Sequence, residues 1–263
     1  MDLGLKGKSV IVMAASKGLG KATASQFAQE GAHVVVSSRN EEDLRAVVAE
    51  IQESTSNHNV TYKTCDVTNP NDIKGLVQFA ADKHGTVDVL VNNAGGPPAG
   101  GFENFDDVAW QNAFELNLLS FVRAIREVLP YMQNQQRGHI INFTSSSIKQ
   151  TLDNLILSNT FRAGVVGLAK SLSQELAKDN ILINTIGPGR IATERVAHLD
   201  KIRADKLGVS YEEIKTSTEA SIPMRRYGKP EEFAKQAVFL CSSANTYVTG
   251  QTLLVDGGLV KAL

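Results

Sequence analysis

The chain has 263 residues, 42% of them hydrophobic and 21% charged, an ordinary globular composition with length enough to bury one large core. A formal net charge of −1 argues against a surface built for nucleic acid or anionic membranes. Two cysteines, Cys65 and Cys241, are too few for a disulfide framework or a zinc site, and no apolar run reaches membrane-spanning length, so a cytoplasmic protein without a metal is expected.

Short apolar runs at 9–12, 33–37, 60–66, 87–92, 139–144, 181–186 and 252–255 read as buried strands. Helical patterns at 19–30, 41–54, 72–83, 106–134, 154–178 and 231–240 lie between them. Gly31, Gly85 and Gly138 stand as stop signals, and Pro230 suits a first helical turn. The alternation predicts a parallel sheet with helices on both faces and, with no repeat or linker, one α/β domain over 1–263. Residues 190–227 break the pattern with helical material at 194–207 and 211–220. Such an excursion at the carboxyl end of a parallel sheet is expected to form a substrate lid. The alternative is a surface helix pair that packs locally or against a partner subunit.

The first strand runs into Ala14-Ala15-Ser16-Lys17-Gly18-Leu19-Gly20 and straight into a helix. Gly18 and Gly20 let a backbone approach a pyrophosphate, and the helix N-terminus supplies free N–H donors. Ala14 stands where a glycine is usual. The second strand ends in Ser38-Arg39, with no acidic residue to hold a ribose 2′-hydroxyl. A small residue followed by a cation, with Lys17 in the turn, favours NADP(H) over NAD(H).

Further blocks follow in order: Asp66-Val67, Asn92-Asn93-Ala94-Gly95, Asn117, Ser145, Pro188-Gly189 with Thr193, and Thr249-Gly250-Gln251 ahead of Val255-Asp256-Gly257-Gly258. With these the chain resembles a short-chain dehydrogenase/reductase over its full length, an atypical branch similar to 3-oxoacyl-ACP reductases. The resemblance implies a Rossmann fold, a seven-stranded parallel sheet in the order 3-2-1-4-5-6-7 with three helices a side. It implies that Asp66 and Val67 meet the adenine, and that Asn93, Ala94 and Gly95 line the adenosine ribose and the middle of the cofactor. Pro188, Gly189, Ile191 and Thr193 would meet the nicotinamide end, and Asn117 would hold a water near the base. A homo-oligomer, tetramer or dimer, acting on a small-molecule carbonyl or secondary alcohol, is also implied.

The family's Ser, Tyr and Lys fall here on Ser145, Ser158 and Arg162. Ser158 lies 13 residues after Ser145, Arg162 four further on, and Ala163-Gly164-Val165 keeps the register. A phenol titrates within tuning range of neutrality and an aliphatic hydroxyl does not, so Ser158 is a poor proton relay. Arg162 keeps the charge that bonds a ribose or steadies an alkoxide, but guanidinium does not readily release a proton. Tyr211 in the proposed lid, and Lys149 and Asp153 before Ser158, are other candidate proton donors. Two readings follow: a reductase with an altered proton route, and a non-catalytic NADP(H)-binding sensor or structural protein. Arg195, Arg225 and Arg226 are candidates to attract an acidic substrate.

Overall fold

The computed structural model describes residues 2–262. Seven strands are present: β1 (Ser9–Val12), β2 (His33–Ser38), β3 (Val60–Thr64), β4 (Val89–Asn92), β5 (Gly138–Phe143), β6 (Ile181–Pro188) and β7 (Thr252–Val255). They form one sheet in the order β3-β2-β1-β4-β5-β6-β7, and every pairing is parallel. All four residues of β1 are buried, because a central strand of a doubly covered sheet has no solvent face.

Alternate side chains point to opposite faces, and this divides the core in two. Val10, Val12, Val34, Val36, Val89 and Val91 pack against α1 (Gly18–Gln29), α2 (Glu41–Thr55) and α9 (Pro230–Leu240). Ile11, Val35, Leu90, Ile140 and Ile183 pack against α3 (Pro70–His84), α5 (Ser120–Asn134) and α6 (Ile156–Glu175). Phe143 and Phe233 meet edge-on at 4.8 Å and tie β5 to α9.

Helix starts follow local chemistry. Asn40, Asn69 and Asp106 cap α2, α3 and α4 (Asp107–Phe114) with side-chain oxygens that accept from first-turn N–H groups. Thr193 and Ser210 do the same for α7 (Glu194–Leu207) and α8 (Tyr211–Ser221). The helix expected over 106–134 is interrupted: a π-helical turn at Glu115–Leu119 joins α4 to α5. Gly138 opens β5 instead of ending a helix, and the left-handed position falls on Gln136 (φ 53°).

Residues 190–227 hold α7 and α8 and no strand. Asp200, 1% exposed, pins the segment: it pairs with Arg190 at 3.0 Å and accepts from the Tyr227 hydroxyl at 2.7 Å. Among the described residues no helix is long and apolar enough to cross a membrane.

Candidate active site

The turn between β1 and α1 has little freedom. Ala14 sits at φ 48°, in the left-handed region that costs a residue with a Cβ about 1–2 kcal/mol. Gly18 also has a positive φ, 58°, which glycine takes without that cost. A Cβ on Gly20 would lie 2.7 Å from the Ala14 carbonyl oxygen and 2.8 Å from Ala15 Cα, so only glycine lets α1 come this close to the turn. From just beyond β4, Asn93 Nδ2 donates to the carbonyls of Met13 and Ala14 at 3.2 and 3.0 Å.

The start of α1 is left open. Lys17 precedes the helix without a side-chain capping bond, and no acid stands in its first turn. The free N–H groups and positive dipole end therefore make a cradle for an anionic group such as a phosphate. Ser16 is half-buried in the same turn, and Leu19 packs its side chain on the core beneath. Lys17 Nζ reaches Glu194 at 3.3 Å, a pair with both side chains largely exposed. An ideal Cβ on Gly18 would lie 3.7 Å from Thr193 Cγ2, so the start of α7 adjoins the turn.

Ser38 ends β2, and exposed Arg39 follows it. Asp66 Oδ1 accepts from Thr68 N and Oγ1 at 2.9 and 2.8 Å. The Thr68 amide holds its carboxyl below the usual range, and nearby Arg39 adds to the effect. Val67 and Ala94 are buried in one core cluster, while Gly95 opens to solvent with free space where a Cβ would be. Pro188 and Gly189 are half-buried at the end of β6, and Ile191 is buried, its backbone paired with Gly228.

Asn117 lies in the π-helical turn, 1% exposed. Its Nδ2 donates to the Gly95 carbonyl at 2.8 Å, and its Oδ1 has no partner among the described residues. Extra-residue turns of this kind re-aim a side chain and recur at functional sites. Ser145 follows β5, half-buried, and its Oγ accepts from Ser147 N at 3.2 Å. Ser158 and Arg162 are one turn apart on α6 and both buried, 6% and 7% exposed. Arg162 Nε donates to Ser158 Oγ at 3.2 Å, and its Nη1 donates to the Phe143 carbonyl at 3.0 Å. No described carboxylate pairs with this guanidinium. Burial pushes its pKa down to about 10, with the charge of Arg195 adding to the effect, which leaves it a cation at neutral pH.

The loop after β4 runs beside the start of α6. Gly100 N donates to Asn154 O at 2.6 Å, and Ile156 N donates to Gly100 O at 3.4 Å, which fastens residues 96–100 to the start of α6. Arg195 Nη2 donates to the Pro97 carbonyl at 3.2 Å and brings α7 onto the same loop.

A family profile described as "Enoyl-(Acyl carrier protein) reductase" matches residues 13–260. The chain is 36% identical to the 3-oxoacyl-[acyl-carrier-protein] reductase FabG of Thermotoga maritima, with 97% of this chain and 99% of the relative covered. The short-chain dehydrogenase/reductase family contains this chain. L-sorbose reductase from Gluconobacter frateurii, solved with NADPH and L-sorbose, superposes with a TM-score of 0.94 at 33% identity, with all of both chains covered. A 7α-hydroxysteroid dehydrogenase solved with NADH and 7-oxo-glycochenodeoxycholic acid gives 0.89 at 35% identity, with 100% of this chain and 98% of the other covered.

In this short-chain dehydrogenase/reductase some of the residues singled out by sequence fall into three sets. Ala14 to Gly20, Asn93 and Thr193 meet at the turn before α1, while Asn117 and Gly95 are bonded to each other, as are Ser158 and Arg162. Tyr62 bonds Glu41, Tyr131 bonds Gln78 and Tyr227 bonds Asp200, while Tyr247 is 96% exposed. Lys149 and Asp153 are exposed, and Tyr211 begins α8 half-buried. The sequence does not reveal the Phe143 carbonyl as the Arg162 partner, because a backbone acceptor leaves no mark on residue type. Nor does it reveal the Lys17–Glu194 pair, which joins elements 177 positions apart.

Proposed function

We propose that the chain is an NADP(H)-dependent oxidoreductase that acts on a small carbonyl or secondary-alcohol substrate through an altered proton route. The observation that carries this reading is the Ser158–Arg162 pair, bonded to itself and to the end of β5 in the register of a Tyr-x-x-x-Lys site beside Ser145. The dinucleotide fits the uncapped α1 turn: Ser16, Lys17, Gly18, Leu19 and Gly20 hold the pyrophosphate, and Asp66, Val67, Asn93, Ala94 and Gly95 hold the adenosine half. Pro188, Gly189, Ile191, Thr193 and Arg162 take the nicotinamide half, while Ser38, Arg39 and Lys17 favour the 2′-phosphate. The NADPH in L-sorbose reductase supports that preference, and the NADH in the steroid dehydrogenase is the counter-case.

The bound dinucleotide supplies hydride chemistry. Ser145 orients the substrate oxygen, and Arg162 stabilises negative charge on it from its buried position. Ser158 positions the guanidinium, and the proton comes from water held near the free Oδ1 of Asn117. Loss of a dedicated acid slows turnover by about 10²–10⁴-fold. Residues 190–227 serve as the lid, supported by the Arg195–Pro97 and Lys17–Glu194 contacts. The active form is a homo-oligomer, and exposed Phe102 and Val108 beside Trp110 support this reading.

The second reading, a non-catalytic NADP(H)-binding protein, draws on the same pair: the Ser158 hydroxyl is already occupied by Arg162. Calorimetric titration with NADPH and NADH, followed by nicotinamide absorbance over a carbonyl panel, separates the two. Tighter binding of NADPH with slow loss of absorbance is the outcome for the reductase. Ser158→Tyr with Arg162→Lys then raises turnover at least tenfold on a generic carbonyl. NADPH binding with no turnover, and no gain in the double variant, leaves the sensor. No binding of either dinucleotide overturns both.

A further inference from the structure

Arg45, Arg123, Arg137, Arg190 and Arg226 each meet a carboxylate, and Arg225 bonds the Ala220 carbonyl. The amino ends of the first three strands are different. Ser9 opens β1 in register with His33, the first residue of β2, and Val60 opens β3 beside Val34. A cleft of about 600 Å³ lies there, lined by His33, Gln52, His58, Asn59, Lys83 and His84 among others, and by no Asp or Glu. His33 and His84 lie against each other, with ring centroids 5.1 Å apart and planes tilted by 49°. The Ser9 hydroxyl meets Nδ1 of His84 at 3.0 Å, and no described group bonds its Nε2 or either ring nitrogen of His33. The Lys83 ammonium is 5.8 Å from the Phe79 ring centroid and meets no described carboxylate. Lys6, packed beside Gly31, adds a cation. Neighbouring carboxylates are engaged: Asp88 by Lys8, Arg137 and the Ser9 amide, Asp82 by Gln78, and Glu30 by Gln26. Glu53, next to Gln52, is exposed. Burial holds the His84 pKa below the usual 6.5, and His33 and Lys83 add to the effect. A charged imidazole among cations is disfavoured, and a bound anion removes that penalty.

We propose that this cleft binds a tetrahedral oxyanion of the phosphate class, held by His33, His84 and Lys83 and taken up together with a proton. A protonated imidazole donates through both ring nitrogens, so His84 gives Nδ1–H to Ser9 and Nε2–H to the anion. Hydrogen bonds between charged partners are about twice as strong as neutral ones, so binding tightens as pH falls. An anion that binds only the folded chain also stabilises it by mass action. The cleft lies at the amino ends of the strands and the candidate active site at their carboxyl ends, so the inference does not rest on the reductase reading.

The test is calorimetric titration with sulfate, which stays doubly charged between pH 8 and pH 6, in the presence of saturating NADPH to occupy the α1 turn. One sulfate per chain is expected, with affinity rising about tenfold or more from pH 8 to pH 6. At pH 7 the heat depends on the ionisation enthalpy of the buffer, because a proton is taken up. His84→Gln abolishes that dependence while keeping a polar partner for Ser9. Lys83→Met, at an exposed position, weakens sulfate about threefold or more, with an unchanged melting temperature in sulfate-free buffer. Methyl phosphate binding as tightly as inorganic phosphate supports the site with a phosphate ester as its ligand; binding of inorganic phosphate alone supports it with the free ion. Binding that ignores pH, or that both variants leave intact, marks an adventitious ion only and overturns the proposal, as does no binding at all. If NADPH does not bind, the two variants still decide, because both change the opposite end of the sheet from the α1 turn.

Discussion

Arg162 shows how a residue chosen for a site can work against the fold that carries it. Its guanidinium is buried without a counter-ion, and its pKa is pushed down to about 10 by that burial and then by Arg195. A side chain of similar reach without charge removes that burden, so Arg162→Met is expected to stabilise the ligand-free protein by about 1 kcal/mol. Urea midpoints read the gain; a midpoint that falls instead means that the bonds to Ser158 and Phe143 outweigh the desolvation. Ala14 is strained for a different reason. Ala14→Gly relieves the left-handed backbone but loosens the unfolded chain, leaving a net gain of about 0.5 kcal/mol and an intact cofactor turn. Gly20→Ala has the opposite sign: its Cβ meets backbone at 2.7 Å, so stability and dinucleotide binding are lost together. The family resemblance made Ser145, Ser158 and Arg162 legible, because its Ser…Tyr-x-x-x-Lys register falls on them, and two residues four apart share a helical face. The burial of the pair was not legible, since it depends on how deeply α6 seats against β5.

At the scale of elements, the strands and helices of the sheet could be read because apolar periodicity is a local signal. The π-helical turn at Glu115–Leu119 could not, since the inserted residue leaves the surrounding helical pattern unbroken. It matters to function because Asn117 lies in that turn and bonds Gly95 at the mouth of the site. The segment at 190–227 was legible as two helices, but its anchor was not. Asp200 holds Arg190 at one oxygen and Tyr227 at the other, three residues brought together from both ends of the segment. A hydrogen bond to a buried carboxylate contributes about 1.5–3 kcal/mol, and Tyr227→Phe removes one such bond. The expected result is faster proteolytic cleavage within 190–227, with NADPH affinity within twofold of the wild type. Loss of NADPH affinity in that variant would show that the segment shapes the cofactor site itself. An unchanged cleavage rate would show that α7 and α8 are held by packing alone.

Across the whole molecule the two edges of the sheet carry different chemistry. The carboxyl edge gathers the candidate site, while the amino edge holds Asp88, Lys8, Arg137 and the histidines His33, His84 and His139. His139 begins the interior of β5, is 9% exposed, and sits with Nε2 against the Asn245 carbonyl at 3.3 Å. Burial lowers its pKa from the ordinary 6.5 despite that bond; Arg137 and Lys8 push the same way and Asp88 opposes them. His84 is lowered by burial, then by His33 and Lys83. A histidine with a depressed native pKa takes up its proton more readily in the unfolded chain. Stability is therefore fully present above 6.5 and is lost as pH falls below it. The slope from His139 is at most about 1.4 kcal/mol per pH unit, and that from half-exposed His84 is smaller because water screens it. Asp66, lowered from the ordinary 3.8, and Glu232, lowered to about 2, both titrate below this window. Urea midpoints between pH 7.5 and 5.5 should fall in the wild type and fall less in His139→Gln, which keeps an N–H for Asn245. Equal slopes in the two proteins would place the pH response elsewhere on the amino edge, with His84 and His33 the next pair to replace.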